Sequence, residues 1–173
     1  MSRLTALLDA NILYPAPMRD LFIQLATQGL FQAKWTADIH REWINALLRN
    51  EPWRDLAALH RTRELMNRAA RDCLVTGYEQ IIPVLSLPDA DDRHVLAAAI
   101  VGQCDVIVTH NVTDFPASTL ARFGIEAQHP DPFLAAYVER SPTIICEAIK
   151  KLRARLVNPP IGVEGYLATL SRQ

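Results

Sequence analysis

Oxygen-bearing side chains stand where predicted strands end and predicted helices begin. Asp9 follows the short apolar run 4–8, and Asn111 and Asp114 follow the β-branched run 105–109. Glu42 and Asp92 lie within the first two turns of two predicted helices. Because the carboxyl ends of parallel strands meet at one edge of a sheet, we expect these five side chains to converge there. Such a cluster suits a hard cation, Mg²⁺ or Mn²⁺.

Asp92 has the surroundings that most favour a metal ligand. Apolar residues follow it at helical spacing, namely Val95, Leu96 and Ala99, which places its carboxylate on the apolar side of the helix. A buried carboxylate costs free energy unless it is paired, hydrogen-bonded or bound to metal. All three lysines of the chain lie in other segments. A bound cation is therefore the expected compensating charge.

Each of these residues also has a purely structural interpretation. Asp9 and Asp92 are of a type that caps helices, Glu42 could be a surface glutamate, and Asn111 and Asp114 suit a turn. Three histidines near these acids are expected to be packing or surface residues: His40, His94 and His110.

Hydrophobic periodicity predicts strands alternating with helices. The strands are expected at residues 4–8, 31–35, 80–85, 105–109 and 124–127, and long amphipathic helices at 36–50 and 56–77. This order favours an α/β fold with three layers, α/β/α, around a central and mainly parallel sheet of four to five strands.

Composition and charge limit the remaining choices. The chain has 173 residues, of which 50% are hydrophobic, so it is long enough to form an ordinary core. Its formal net charge of −1 argues against attraction of the whole molecule to nucleic acid. Contact with RNA would depend on local basic stripes, such as Arg54, Arg61 and Arg68 or the run 150–155.

The cysteines indicate a reducing compartment. Cys73, Cys104 and Cys146 lie far apart with no C-x-x-C pair, so neither a disulfide framework nor a zinc site is expected. The apolar runs are too short to span a bilayer. We therefore expect a cytoplasmic protein with no membrane partner.

Three segments resemble the signature motifs of PIN domains. They are the Asp-Ala-Asn-Ile-Leu segment 9–13, the acidic helix 92–99, and the Val-Thr-His-Asn-Val-Thr-Asp-Phe-Pro segment 108–116. The resemblance covers residues 4 to about 128 and implies an Mg²⁺- or Mn²⁺-dependent endoribonuclease. Single-domain PIN proteins of bacteria are commonly VapC-like toxins, so it also implies an RNA substrate and a cognate antitoxin. A homodimer is a further expectation.

The resemblance assigns roles to individual residues. Asp9, Glu42 and Asp92 match the three core acids of the family. The fourth acidic position falls to Asn111 or Asp114, because many relatives carry an aspartate where this chain has Asn111. Side chains expected to orient the carboxylates are Asn11 and Thr109. The nuclease domain is expected at residues 1–130 and a helical C-terminal extension at 131–173.

Two other functional classes remain as alternatives. A phosphoaspartyl phosphohydrolase also carries an aspartate after its first strand, but it needs an acid two residues later, where Asn11 stands, and a catalytic lysine. A non-catalytic RNA-binding or assembly module on a PIN fold would be consistent with Asn111 in the fourth acidic position.

Overall fold

The computed structural model describes residues 3–157 and 160–173. Its central sheet is parallel throughout and has the strand order β2-β1-β3-β4. The strands are β1 (Thr5–Leu8), β2 (Gln32–Lys34), β3 (Val106–Val108) and β4 (Glu126–Gln128). Leu8 pairs with Val108, so the residues that follow them, Asp9 and Thr109, leave the sheet side by side.

Helices flank this sheet, and the predicted three-layer α/β/α fold is confirmed. The helices of the described ranges are α1 (Ala10–Leu13), α2 (Ala16–Thr27), α3 (Ala37–Asn50), α4 (Leu56–Ala69), α5 (Arg93–Val101), α6 (Ala117–Leu120), α7 (Pro130–Arg140), α8 (Pro142–Ala154) and α9 (Val163–Ser171).

The centre of the sheet is fully covered. In β1, Ala6, Leu7 and Leu8 are completely buried, as expected for a strand with helices over both faces. Helix α5 packs against β1 and β3, and its buried run of three alanines, 97–99, has small side chains that permit a close approach. This packing places the start of α5, and with it Asp92, beside the ends of β1 and β3.

The prediction of a strand at residues 80–85 is wrong. Residues Glu79–Val84 form a 3₁₀ helix with Pro83 inside it, and proline has no N–H to donate to a sheet. The prediction depended on the apolar residues of this segment, yet Val84 is 81% exposed and Ile81 and Ile82 are only half-buried. The sheet of the described ranges therefore has four strands.

The second amphipathic helix is shorter than predicted. Helix α4 ends at Ala69 rather than near residue 77, and Asp72 turns the chain with a φ of 50°. Beyond the turn, the Trp35 N–H donates to the carbonyl of Cys73 and the Val75 N–H donates to the carbonyl of Trp35. These bonds pair the segment with the chain that leaves β2, and Cys73 is buried without being helical.

The C-terminal helices pack on the same core. Helix α8 lies against α2 and α7, and α9 also contacts α2. Phe133 of α7 stacks on Phe22 of α2 with ring centroids 5.7 Å apart. The apolar face of the basic helix α8 is buried at Ile145 and Leu152. None of the helices in the described ranges has the length and apolar character needed to cross a membrane.

Candidate metal and active site

Asp9 lies at the centre of the site because β1 ends directly before it. Its backbone is extended, with φ −69° and ψ 160°, and its Oδ1 accepts a hydrogen bond from the Ala10 N–H at 2.7 Å, which caps α1. The Asp9 N–H donates to the Val108 carbonyl at 3.1 Å. The helix-capping interpretation is therefore correct as far as it goes, but it uses one of the two carboxylate oxygens.

The second oxygen of Asp9 belongs to a buried network. The Thr109 hydroxyl donates to Oδ2 at 2.7 Å, and the Asn11 amide donates to Oδ2 at 2.9 Å. The same amide reaches the Thr109 Oγ1 at 3.0 Å, and the Asn11 carbonyl oxygen accepts from the His110 N–H at 3.2 Å. Asn11 and Thr109 thus both donate to the Asp9 carboxylate, as residues that orient it must do.

Burial dominates the electrostatics of Asp9. Loss of water raises the pKa of this carboxyl above its ordinary value of 3.8, and the negative charge of Glu42 raises it further. The hydrogen bonds from Thr109 and Ala10 and the nearby His94 act in the opposite direction. The effect of burial on the Asp9 pKa is therefore larger than the effect of the hydrogen-bond donors. A nearby positive charge would stabilise the ionised carboxylate.

Asp92 immediately precedes α5, but its side chain makes no capping hydrogen bond to the described residues. This half-buried carboxyl has its pKa raised from 3.8 to about 6. Burial is the largest cause, followed by the negative charges of Asp9, Asp89 and Asp114, while His94 opposes the shift. Several acids therefore lie close enough to disfavour ionisation of Asp92. The absent capping bond weakens the structural interpretation of this residue.

Glu42 reaches the site from α3, where the buried Thr36 caps the helix by accepting from the Ile39 N–H at 3.0 Å. The Glu42 side chain is 46% exposed, as a surface glutamate would be. Its Oε1 nevertheless lies 2.7 Å from the Nε2 of His94 in α5. Glu42 is therefore attached to the element that carries Asp92.

The two candidates for the fourth acidic position differ in their surroundings. Asn111 is exposed, and its backbone N–H donates to the Thr109 Oγ1 at 3.1 Å before the 3₁₀ turn Val112–Asp114. Asp114 is half-buried and near enough to Asp92 to raise the pKa of that carboxyl. This electrostatic proximity favours Asp114 over Asn111 as a metal ligand.

Two family models match different parts of the chain. A family model described as "PIN domain" matches residues 5–113, which is more than half of the chain. The chain belongs to the PIN-domain family. The match includes Asp9, Glu42, Asp92 and Asn111, and Asp114 falls one residue beyond it. A second family model, described as "VapC50 C-terminal domain", matches residues 130–173.

One curated relative of this PIN-domain chain is a protein of Mycobacterium tuberculosis named "Putative ribonuclease VapC50". The two are 33% identical over 97 residues, which are 56% of this chain and 57% of the relative. The alignment thus spans little more than half the length of the curated relative. No solved structure matches the chain.

The PIN-domain acids fit a hard cation by their chemistry. Among the residues that the structure describes, no group of three His, Cys, Asp or Glu side chains is already arranged to hold a metal ion. The buried Asp9 and the mutually repelling Asp92 and Asp114 are nevertheless carboxylates whose charges a divalent cation would offset. Carboxylate oxygens are ligands of the type that Mg²⁺ and Mn²⁺ prefer.

The three histidines near the PIN-domain acids have different surroundings. His40 is buried, accepts a hydrogen bond from the Trp43 indole and pairs with the Asn67 Oδ1, and burial lowers its pKa to about 4. His110 contacts His129 at 3.1 Å, and burial lowers the pKa of its ring. Only His94 contacts one of the predicted acids within the described ranges. Sequence reasoning placed it with the packing and surface residues, because no local pattern links it to Glu42, 52 positions earlier.

Proposed function

We propose that this PIN-domain protein is a metal-dependent endoribonuclease and the toxin of a type II toxin–antitoxin pair. The observation that carries the proposal is a cluster of four carboxylates near the ends of β1 and β3, in which negative charges repel one another: Asp9, Glu42, Asp92 and Asp114. The name of the mycobacterial relative supports the ribonuclease assignment.

In this proposal the four carboxylates hold Mg²⁺ or Mn²⁺. When bound, the ion supplies Lewis acidity that activates water and offsets charge on the scissile phosphate. The chain's own part is orientation, since Thr109 and Asn11 hold one oxygen of Asp9 in place through their hydrogen bonds. Hydrolysis by water leaves a 5′-phosphate and a 3′-hydroxyl and needs no attack by the RNA 2′-hydroxyl.

The proposed substrate is RNA and the proposed partner is a cognate antitoxin in the cytoplasm. Exposed arginines on and beside α4 supply local positive charge for phosphate contacts: Arg54, Arg61, Arg68 and Arg71. The proposed division into a nuclease domain, 1–130, and a C-terminal extension, 131–173, falls at the start of α7. A homodimer belongs to the same proposal.

A non-catalytic RNA-binding or assembly module is the second candidate. It is favoured by Asn111, which stands where many relatives carry an aspartate, and by the lack of a preformed three-residue metal group among the described side chains. Such a module would bind RNA without producing a metal-dependent product.

An RNA cleavage assay with matched variants separates the two candidates. The wild-type protein should cleave a mixed-sequence oligoribonucleotide in millimolar Mn²⁺ or Mg²⁺, but not in chelator. Asp92→Asn should lose cleavage by orders of magnitude, whereas Asp91→Asn, in the exposed turn one residue earlier, should retain it. Binding of the oligonucleotide with no product in any metal would overturn the nuclease proposal and favour the binding module.

A further inference from the structure

His94 occupies a central position among the acids of the site. Its side chain is 13% exposed, and its Nε2 lies 2.7 Å from the Glu42 Oε1. The ring also lowers the pKa of both Asp9 and Asp92, which places it near all three core acids. No other histidine, lysine or arginine of the described ranges is paired with Glu42.

The direction of this hydrogen bond follows from its partners. An ionised carboxylate can only accept, so the imidazole donates from Nε2. A neutral ring that donates from Nε2 leaves Nδ1 as a lone-pair acceptor, and Nδ1 is buried with no partner among the described residues. The contact holds for the neutral and for the protonated ring, because both carry hydrogen on Nε2.

Glu42 needs such a contact more than Asp9 does. Asp9 has hydrogen-bond donors on both carboxylate oxygens. Glu42 has a longer side chain that is 46% exposed, and the described residues give it one partner, His94. A free glutamate would sample several rotamers, and fixing one of them at the moment of metal binding costs conformational entropy.

We propose that His94 is a positioning residue that holds Glu42 towards the metal site, an inference that depends on the proposed metal-dependent function. The Nε2–H group would fix Oε1, and Oε2 would remain available to a cation. It acts across two helices, from α5 to α3. Partners of this kind typically change metal affinity or activity by about 10- to 100-fold when removed.

Two amide substitutions test the position of the donor rather than the presence of a polar group. His94→Gln places an amide N–H at about the distance of Nε2, whereas His94→Asn reaches only the position of Nδ1. His94→Asn should raise the Mn²⁺ concentration at half-saturation, measured by the shift in melting temperature, by about 10-fold or more. His94→Gln should recover most of this loss, and the exposed His60→Asn on α4 should match the wild type.

A double variant shows whether His94 acts through Glu42. If it does, His94→Asn should weaken Mn²⁺ binding no further in a Glu42→Gln background. The inference fails if His94→Asn binds Mn²⁺ like the wild type, if His94→Gln is as weak as His94→Asn, or if the effect persists in Glu42→Gln. If Mn²⁺ leaves the melting temperature of the wild type unchanged and the wild type cleaves no RNA, the proposed function and this inference both fail. If the wild type binds Mn²⁺ and cleaves RNA but the His94 variants do not behave as stated, this inference alone fails.

Discussion

Asp9 and Asp92 carry the same functional group at two sides of one site, yet they are held differently. Asp9, Asn11 and Thr109 form what we call the strand half, in which the carboxylate is buried and accepts three hydrogen bonds. Glu42, Asp92 and Asp114 form the helix half. Its carboxylates are half-buried or exposed. Among the described residues, the one hydrogen-bonded pair that they form is Glu42–His94.

This difference indicates that one half of the site keeps its geometry without a ligand, whereas the other half would change when a cation binds. The strand half is fixed by hydrogen bonds among residues that follow the adjacent strands β1 and β3, and these bonds form without a ligand. In the helix half, burial and, after it, repulsion from neighbouring carboxylates raise the pKa of Asp92 to about 6. Asp9 is therefore oriented before a cation binds, whereas the carboxylates of the helix half would become ordered on binding.

The largest expected effect concerns cleavage by variants of either half. Asp9→Asn and Asp92→Asn should each lower kcat/KM by about 1000-fold or more, because both would contribute to one metal site. The double variant should be little worse than either single one, since residues that act as a unit are not additive. Single-turnover cleavage of one oligonucleotide measures all three. Two losses that multiply would mean that the halves act independently.

Cation binding should stabilise the folded protein. At about 100 times the dissociation constant, Mn²⁺ should add about 2.7 kcal/mol to the free energy of unfolding by mass action. The increase should be much smaller for Asp92→Asn and unchanged for Asp91→Asn. Thermal melts in chelator and in a Mn²⁺ series give the comparison. Identical melting curves with and without the cation would contradict a metal site in either half.

Loss of the threonine hydroxyl should affect the strand half alone. Thr109→Val removes the donor to Asp9 and the acceptor for Asn11 and for the Asn111 N–H at a fully buried position. We expect a loss of about 2 kcal/mol of stability in metal-free buffer, because buried polar groups lose their partners. Thr113→Val, at an exposed turn, should change stability by less than about 0.5 kcal/mol.

Chemical denaturation in metal-free buffer measures the stability of Thr109→Val and of Asp92→Asn, and the change in the free energy of unfolding should have the opposite sign for Asp92→Asn. Its stability without metal should hold or rise slightly, since one of several repelling carboxylates is gone. If Thr109→Val were as stable as the wild type, or if Asp92→Asn were the less stable of the two, the division into a fixed half and a repelling half would be wrong.

The smallest expected effect is on pH dependence. The pKa of Asp92 is about 6 in the fold against an ordinary value of 3.8, so folding favours the protonated carboxyl. The stability that this group contributes is fully present below about pH 4 and is lost as the pH rises to about 6. Without metal, the wild type should lose about 1 kcal/mol relative to Asp92→Asn over this interval, a value reduced for partial solvent screening. A constant difference between the two proteins would refute the raised pKa.

Much of the fold could be predicted from local pattern. The runs around β1 and β3 are apolar because both faces of a central parallel strand are covered, and this burial is visible in the residue types themselves. The same reasoning was wrong for residues 80–85. There the apolar residues lie in a 3₁₀ helix, and nothing local shows that Val84 faces solvent.

The sequence by itself determined which carboxylates stand at strand ends and helix starts, since strand and helix periodicities are local properties. Only the tertiary structure decided how these groups interact. Asn11 meets Thr109 across 98 positions, and Glu42 meets His94 across two helices, because strand register and helix packing bring them together. The raised pKa of Asp92 has the same origin, since it depends on burial and on charges from separate segments. Distances between elements are set by the packing of the whole core, and no short stretch of sequence contains them.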